Sequence, residues 1–291
     1  MTTTEPALVP AVLAWFDMHE RDLPWRDTTA WGVLVSEFML QQTPVSRVLP
    51  VWQEWLERWP EPAALAASPV SDALRAWGRL GYPRRARRLH EASAAIVARH
   101  QGAVPRDEAD LLALPGVGQY TAAAVRAFAY GERSVVLDVN VRRVLARATE
   151  AKAQPASHLT ADERAAADLL WPSAAARSAR WSAAVMELGA LVCTARQPKC
   201  DECPISGECS WLDAGSPSAP APRRQAAYEG SDRQARGRVM ACLRNSRASV
   251  PPEQVRALWH DADQLQRAVD SLIADGLVER LRSGRLRLPA S

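Results

Sequence analysis

Four of the chain's five cysteines fall within 17 residues, as Cys193, Cys200, Cys203 and Cys209 in a C-x6-C-x2-C-x5-C run. A segment so dense in thiols needs either disulfides or a metal group to fold around. In a reducing compartment the metal is the expected use. No histidine lies nearby, so the four thiolates suit either Zn2+ or an iron–sulfur cluster. Cys242 stands apart and reads as a small buried apolar residue. The compartment is read from two further features. There is no run approaching the ~20 apolar residues that a membrane span requires, and the start, MTTTEPALVP, lacks the regions of a signal peptide. The expectation is a cytoplasmic chain with no membrane partner.

The 291 residues are long for one domain and imply two or three packed units. With 47% hydrophobic and 24% charged residues, the composition excludes a mostly disordered chain or a fibrous polymer. Apolar positions recur at helical spacing, with little of the β-branched alternation of strands. The pattern predicts helices over 7–18, 31–42, 45–58, 70–79, 84–100, 107–113, 119–130, 139–149, 161–171 and 178–192. Pro24, Pro44, Pro60, Pro83, Pro105, Pro115 and Pro172 fall near their ends, where a missing amide is tolerated. The stretch DAGSPSAPAPRRQ, 213–225, has the composition of an exposed linker. Beyond it, helices are expected over 234–245, 252–258 and 262–275, followed by a hairpin around Ser283 and Gly284. Three helices and a hairpin suggest a winged-helix-like module; a small helical packing module is the plain alternative.

The net charge of +3 hides an asymmetry. Residues 1–61 carry nine acids against four bases, whereas 79–88, RLGYPRRARR, hold Arg79, Arg84, Arg85, Arg87 and Arg88 with no acid. Either a polyanion faces this side or the run is a solvated helix face. The segment LLALPGVGQYTA supplies a second pointer. Pro115, Gly116 and Gly118 make a tight turn between predicted helices, leaving bare amides at a helix start where an anion is favoured. The spacing, and the lack of a preceding strand, exclude a dinucleotide loop.

Two carboxylates stand out. Glu37 lies in the mostly apolar VSEFMLQQTP, where a charge is costly unless it has a task; burial there would favour the protonated form that a general acid requires. Asp138, at the start of the helix in VVLDVNVRRVLAR, reads equally as an N-cap or as an anion for chemistry.

The turn resembles the helix-hairpin-helix motif of DNA repair proteins. Together with the cysteine run it resembles the endonuclease III superfamily of base-excision glycosylases. PWR (24–26), SEFMLQQT (36–43), LGY (80–82), LPGVGQYTA (114–122), LDVNVRRVLAR (137–147) and MELGALVC (186–193) fall in the order of the adenine DNA glycosylase family, and the resemblance runs through residues 12–211. It implies an all-α fold: a six-helix barrel domain with the hairpin over 22–133 and an iron–sulfur cluster domain from 1–21 and 134–213, to which the pattern read above adds a linker over 214–233 and the winged-helix-like module at 234–291. DNA is expected between the first two.

By the same resemblance the cysteines hold a [4Fe-4S] cluster, and the hairpin carbonyls of Leu112, Leu114 and Val117 can hold a monovalent or divalent cation. Glu37 protonates the adenine ring nitrogen, Asp138 stabilises the sugar cation, and Asn140 and Tyr120 orient and shield the site. Gln42, Leu80 and Tyr82 wedge into the base stack. Thr43, Arg26, Gly116, Gly118, Arg84 and Arg85 complete the expected DNA contacts. Strand-cleaving relatives carry a lysine two residues after the second hairpin glycine, where this chain has Tyr120, so a monofunctional enzyme is expected. Its substrate is then double-stranded DNA with adenine opposite 8-oxoguanine or guanine, bound by a monomer at the nucleoid. The rival readings are a T:G mismatch thymine glycosylase and a non-catalytic iron–sulfur DNA-binding regulator. The C-terminal F-S-H segment by which larger relatives contact 8-oxoguanine is missing, and Pro83 stands where relatives often have a second tyrosine.

Overall fold

The structure, a computed structural model, describes residues 6–219 and 227–290. Residues 1–5 of the N-terminal stretch and 220–226 of the expected linker lie outside the described residues. The chain is mostly helical, with α1 (Leu8–His19), α2 (Ala30–Leu40), α3 (Val45–Arg58), α4 (Pro62–Ala66), α5 (Val70–Ala76), α6 (Arg84–His100), α7 (Glu108–Leu112) and α8 (Gln119–Tyr130). There follow α9 (Val139–Glu150), α10 (Ala161–Leu169), α11 (Ala175–Leu191), α12 (Ser210–Asp213), α13 (Asp232–Asn245), α14 (Pro252–Arg256), α15 (Ala262–Ala274), β1 (Glu279–Arg280) and β2 (Leu286–Arg287). The all-α expectation holds. α3, α6 and α8 occupy the predicted residues, and α4 and α12 are additions.

Helix ends follow from local chemistry. Asp138, Thr160, Ser231 and Asp261 cap α9, α10, α13 and α15 by accepting backbone amides of the first turn. α8 closes on Gly131, whose φ of +64° only glycine adopts without strain.

Contacts divide the described chain into two compact units. The first holds 6–33, 106–112 and 117–219. Its core joins Val9, Val12 and Phe16 of α1 to Val141, Val144 and Leu145 of α9 and Trp181, Val185 and Leu188 of α11. The second holds 34–105, 113–116 and 227–290. Its centre is aromatic: the Trp55 ring meets those of Trp59 and Trp77 edge-on, at 4.6 and 5.7 Å between centroids. Each such side chain removes on the order of 200 Å² from water, a larger hydrophobic contribution than any aliphatic core residue makes.

This division differs from the expected one, because the C-terminal segment joins residues 34–105 instead of standing alone. Its three helices bury a stripe of Leu265, Ala268, Val269 and Leu272 from α15 against Val239, Met240 and Leu243 from α13. β1 and β2 pair antiparallel, and Val250 adds a bridge by exchanging both backbone hydrogen bonds with Leu286 at 2.7 and 2.9 Å. Asp275, just past α15, provides the attachment. Its carboxylate accepts from Arg236 at 2.6 Å and from Arg84 of α6, and its carbonyl accepts from Arg87 at 2.6 Å. The Arg87 guanidinium occupies the space that a Cβ on Gly276 would take.

Candidate active site

In the first unit the sequence VLDVNVRR turns from extended chain into α9 at Asp138. Oδ1 of Asp138 accepts the amides of Asn140 and Val141 at 2.9 and 2.7 Å, and Oδ2 accepts Nδ2 of Asn140 at 2.8 Å. The N-cap reading is therefore correct in geometry, yet the second oxygen keeps a lone pair for other use. Burial pushes the Asp138 carboxyl above the ordinary range, and these hydrogen bonds and Arg143 offset only part of that.

Asn140 is itself held. Its Oδ1 accepts Nη2 of Arg143 at 2.8 Å, and Arg143 also donates to the carbonyls of Gly189 at 2.7 Å and Cys193 at 2.8 Å. Gly189 permits this approach, since a Cβ there would lie 2.8 Å from Cβ of Asn140. Tyr120 packs beside the Ala123, Ala124, Ala127 and Val136 cluster. Arg143 was missed in the sequence. Its signal was available: Arg143 and Arg147 repeat at i and i+4 beside the apolar stripe of Val141, Val144, Leu145 and Ala148, and bases flanking a buried stripe need partners inside.

The cysteine loop lies in the same unit. Cys193, Cys200, Cys203 and Cys209 line one pocket with Arg147 and Trp211. Arg147 donates to Sγ of Cys193 at 3.3 Å, stacks 4.8 Å over Trp211, and ties the loop down through the Thr194 carbonyl at 2.8 Å. Burial pushes the Cys203 thiol up to about 11, and raises Cys200 with help from the neighbouring cysteines. Four cysteines around one pocket, with no competing carboxylate or imidazole lining it among the described residues, are the donor set of a thiolate-ligated centre.

Arg26 belongs to this unit also. It donates to Glu187 at 3.1 Å, Glu20 at 3.0 Å and the Arg21 carbonyl at 2.6 Å, so the expected DNA contact has its guanidinium occupied internally.

The second unit carries Glu37 and the wedge residues. Glu37 sits on α2 with 5% of its surface exposed, within a run of buried residues over 31–39. α2 was expected to reach residue 42; it stops at Leu40, and Gln42 takes a left-handed φ of +55°. Tyr82 does likewise at +45°. Non-glycine residues hold such conformations only where their surroundings fix them.

Here the fixing group is Arg85. It donates to the carbonyls of Phe38 and Met39 at 3.0 Å each and Gln41 at 2.5 Å, to Oγ1 of Thr43 at 3.0 Å, and to the carbonyls of Leu80 and Gly81 at 3.4 and 3.2 Å. Its guanidinium also lies 5.5 Å over the Tyr82 ring. Burial lowers Arg85 to about 10. Thr43 joins the loops directly by donating to the Leu80 carbonyl at 3.3 Å.

Arg85 and Thr43 thus face inward as struts, and Arg85 has no donor left for a phosphate except a buried Nε. Arg84 is turned onto Asp275. Leu80 is buried at 4% exposure, whereas Tyr82 stands 54% exposed and Gln42 is exposed. Of the hairpin glycines, Gly116 has φ of +82° and would place a Cβ 2.7 Å from Cβ of Arg88 and 2.9 Å from Phe38. Gly118 has an ordinary φ of −107° and open space above it at the start of α8.

Residues 35–167 match the family model of the HhH-GPD superfamily of base excision DNA repair proteins. Residues 193–209 match the iron-sulfur binding domain of endonuclease III, so the cysteine loop is an iron–sulfur binding segment. Over 281 residues, 95% of this chain and 94% of the relative, the sequence is 51% identical to the adenine DNA glycosylase of Mycolicibacterium smegmatis. The chain belongs to the adenine DNA glycosylase family. The human adenine DNA glycosylase is 39% identical over 214 residues, 68% of this chain and 38% of that one. Among solved structures, that of a thermostable thymine-DNA glycosylase superposes with a TM-score of 0.63 at 28% identity, covering 71% of this chain and 95% of that one. The match to the mycobacterial adenine DNA glycosylase reaches into 234–291, so the C-terminal module is a feature this glycosylase shares with that relative.

Proposed function

We propose that the protein is a monofunctional, monomeric adenine DNA glycosylase that hydrolyses the N-glycosidic bond of adenine opposite 8-oxoguanine or guanine in double-stranded DNA. The observation that carries the reading is the Asp138 carboxylate: one oxygen is consumed by the helix cap, and the other is oriented by Asn140 with Arg143 behind it.

The chemistry follows from the side chains. A base inside a duplex cannot be reached, so adenine is flipped out and its place is taken by residues that can stack and pair. Tyr82 and Gln42 suit this, being exposed and pre-set by Arg85 in conformations they would not otherwise hold. Glu37, a carboxyl on a buried apolar helix, donates its proton to the adenine ring nitrogen, which weakens the bond to the sugar. As that bond breaks, positive charge develops at the sugar, and Oδ2 of Asp138 faces it as the stabilising anion. Water then adds to the anomeric carbon and loses a proton, leaving free adenine and an abasic site. Tyr120 shields this position and offers no amine. The two lysines of the chain lie outside the hairpin and are paired, Lys152 with Glu150 at 2.7 Å and Lys199 with Glu202 at 3.3 Å, which supports hydrolysis without a Schiff base.

Gly118 leaves the start of α8 open to a DNA phosphate, with a cation at the hairpin carbonyls in the same reading. Cys193, Cys200, Cys203 and Cys209 hold a [4Fe-4S] cluster, which when bound cross-links the loop and neutralises its thiolates. The cellular site is the nucleoid.

Single-turnover base release tests the reading on matched duplexes holding A opposite 8-oxoguanine, A opposite G, and T opposite G. Adenine release, fastest opposite 8-oxoguanine, is expected. Release of thymine selects the rival glycosylase, and no release from any duplex leaves a DNA-binding protein without this activity.

A further inference from the structure

Most arginines of the basic run 79–88 have a partner within the protein. Arg84 pairs with Asp275, Arg87 with Glu91 at 2.9 Å, Arg88 with the same Glu91 at 2.9 Å, and Arg85 is buried. Arg79 is the exception. Among the described residues it meets no carboxylate within 4.0 Å, and it is exposed.

Two further arginines gather around it. Arg47, in the first turn of α3, donates Nη2 to the Arg79 carbonyl. Arg244, in the last turn of α13, is half-buried, and its guanidinium is held below its usual range by burial and then by the charge of Arg79. Neither has a carboxylate partner among the described residues. The carboxylate of α5, Asp72, is already taken by Arg58 at 2.6 Å and Arg75 at 3.3 Å. Arg75 in turn donates to the Ser246 carbonyl at 3.3 Å, which fixes the end of α13 beside α5 and so brings Arg244 to this place.

Three arginines brought to one place, with no carboxylate partner among the described residues, leave positive charge there that an anion would complete. The position is also informative, because Leu80–Tyr82, the loop carrying the exposed wedge tyrosine, follows directly on Arg79. The face of α15 points the other way in charge, exposing Asp261, Asp263 and Asp270 against a single base, Arg267. The module is therefore ill-suited to reading DNA through that helix.

We infer that Arg47, Arg79 and Arg244 form a binding site for a backbone phosphate of the DNA duplex, with Arg244 as a DNA contact supplied by the C-terminal module. The inference rests on the DNA-substrate reading above. Guanidinium forks match phosphate oxygens in geometry as well as charge, and a contact of this kind positions the duplex against the Tyr82 loop without reading sequence.

The test is binding of the full chain to an undamaged duplex over a range of salt concentrations. Each lost phosphate contact flattens the plot of log binding constant against log salt by about 0.9. Arg244→Ala is expected to flatten it by that amount, and Arg79→Ala, at an exposed position where folding is not at stake, by a similar amount. Arg267→Ala removes the same charge from the same module and is expected to leave the slope unchanged. Unchanged slopes in Arg244→Ala and Arg79→Ala, or an equal loss in Arg267→Ala, overturn the site. If inorganic phosphate raises the melting temperature of the parent but not of Arg244→Ala while the DNA slopes coincide, the site serves a free anion and the DNA assignment falls. A parent that does not bind duplex at all refutes the function proposed above, an outcome separable from failure of this site alone.

Discussion

Asn140 gives its side-chain amide to Asp138 at 2.8 Å and receives Arg143 on its carbonyl oxygen at the same distance. The carboxylate is therefore set in orientation by a neighbour that is itself set, and its protonation and its geometry can be separated by substitution.

Asp138→Asn keeps a good N-cap, since Asn and Asp are nearly equal there, but removes a desolvated charge. Base release is expected to fall by roughly 10³-fold, with the melting temperature at neutral pH equal to or above that of the parent. Asp138→Ala should instead lose about 1 kcal/mol of stability with the cap. Single-turnover kinetics and thermal unfolding on the same preparations check both.

The direction of the Asp138 shift fixes a pH dependence. The folded protein binds this proton more tightly than the unfolded chain, so ionised Asp138 opposes folding at neutral pH, and that penalty fades as pH falls through the raised folded value. The stability advantage of Asp138→Asn over the parent should shrink on acidification. The acid limb of base release in the parent should lie above about 3.9, the ordinary aspartate value. An advantage that grows on acidification would contradict this.

Arg85→Ala would strand the buried carbonyls of Phe38, Met39 and Gln41 together with the Leu80 and Thr43 acceptors. The expected loss is about 3 kcal/mol, read by urea denaturation. Arg85→Lys should recover only a small part, because an ammonium cannot span acceptors on two loops.

The hairpin glycines should respond differently. Gly116→Ala meets Phe38 and the Arg88 stem in a left-handed conformation and should destabilise by about 2 kcal/mol. Gly118→Ala meets nothing in the protein and should fold normally, while duplex binding weakens by roughly tenfold through the lost phosphate approach. Chemical denaturation and fluorescence anisotropy distinguish them.

The cysteine loop should give brown protein with broad visible absorbance, and Cys203→Ser should bleach it and loosen the Cys193–Cys209 segment towards protease. Colourless parent protein with stoichiometric zinc would contradict the iron–sulfur assignment.

Much of this was legible from local pattern. The helical period and the prolines located α3, α6 and α8 because those segments are amphipathic and bounded by residues that end helices wherever they occur. The cap at Asp138 and the thiol loop were legible for the same reason. What escaped were contacts made over long sequence separations. α2 stops at Leu40 because Arg85, far along the chain, binds its last carbonyls, and nothing in SEFMLQQT announces that. Arg26 reads as a surface base, yet the buried Glu187 claims it. A count of charges cannot tell a guanidinium facing solvent from one engaged inside, and the attachment of residues 227–290 through Asp275 has no periodic signature at all.

That attachment bears on how much unpartnered positive charge residues 79–88 present. By engaging Arg84 directly and holding Arg87 through its carbonyl, Asp275 gives two guanidiniums of the basic run a partner within the protein. The docked module therefore lowers the charge that this run offers unpartnered to solvent, and Arg79 is what remains.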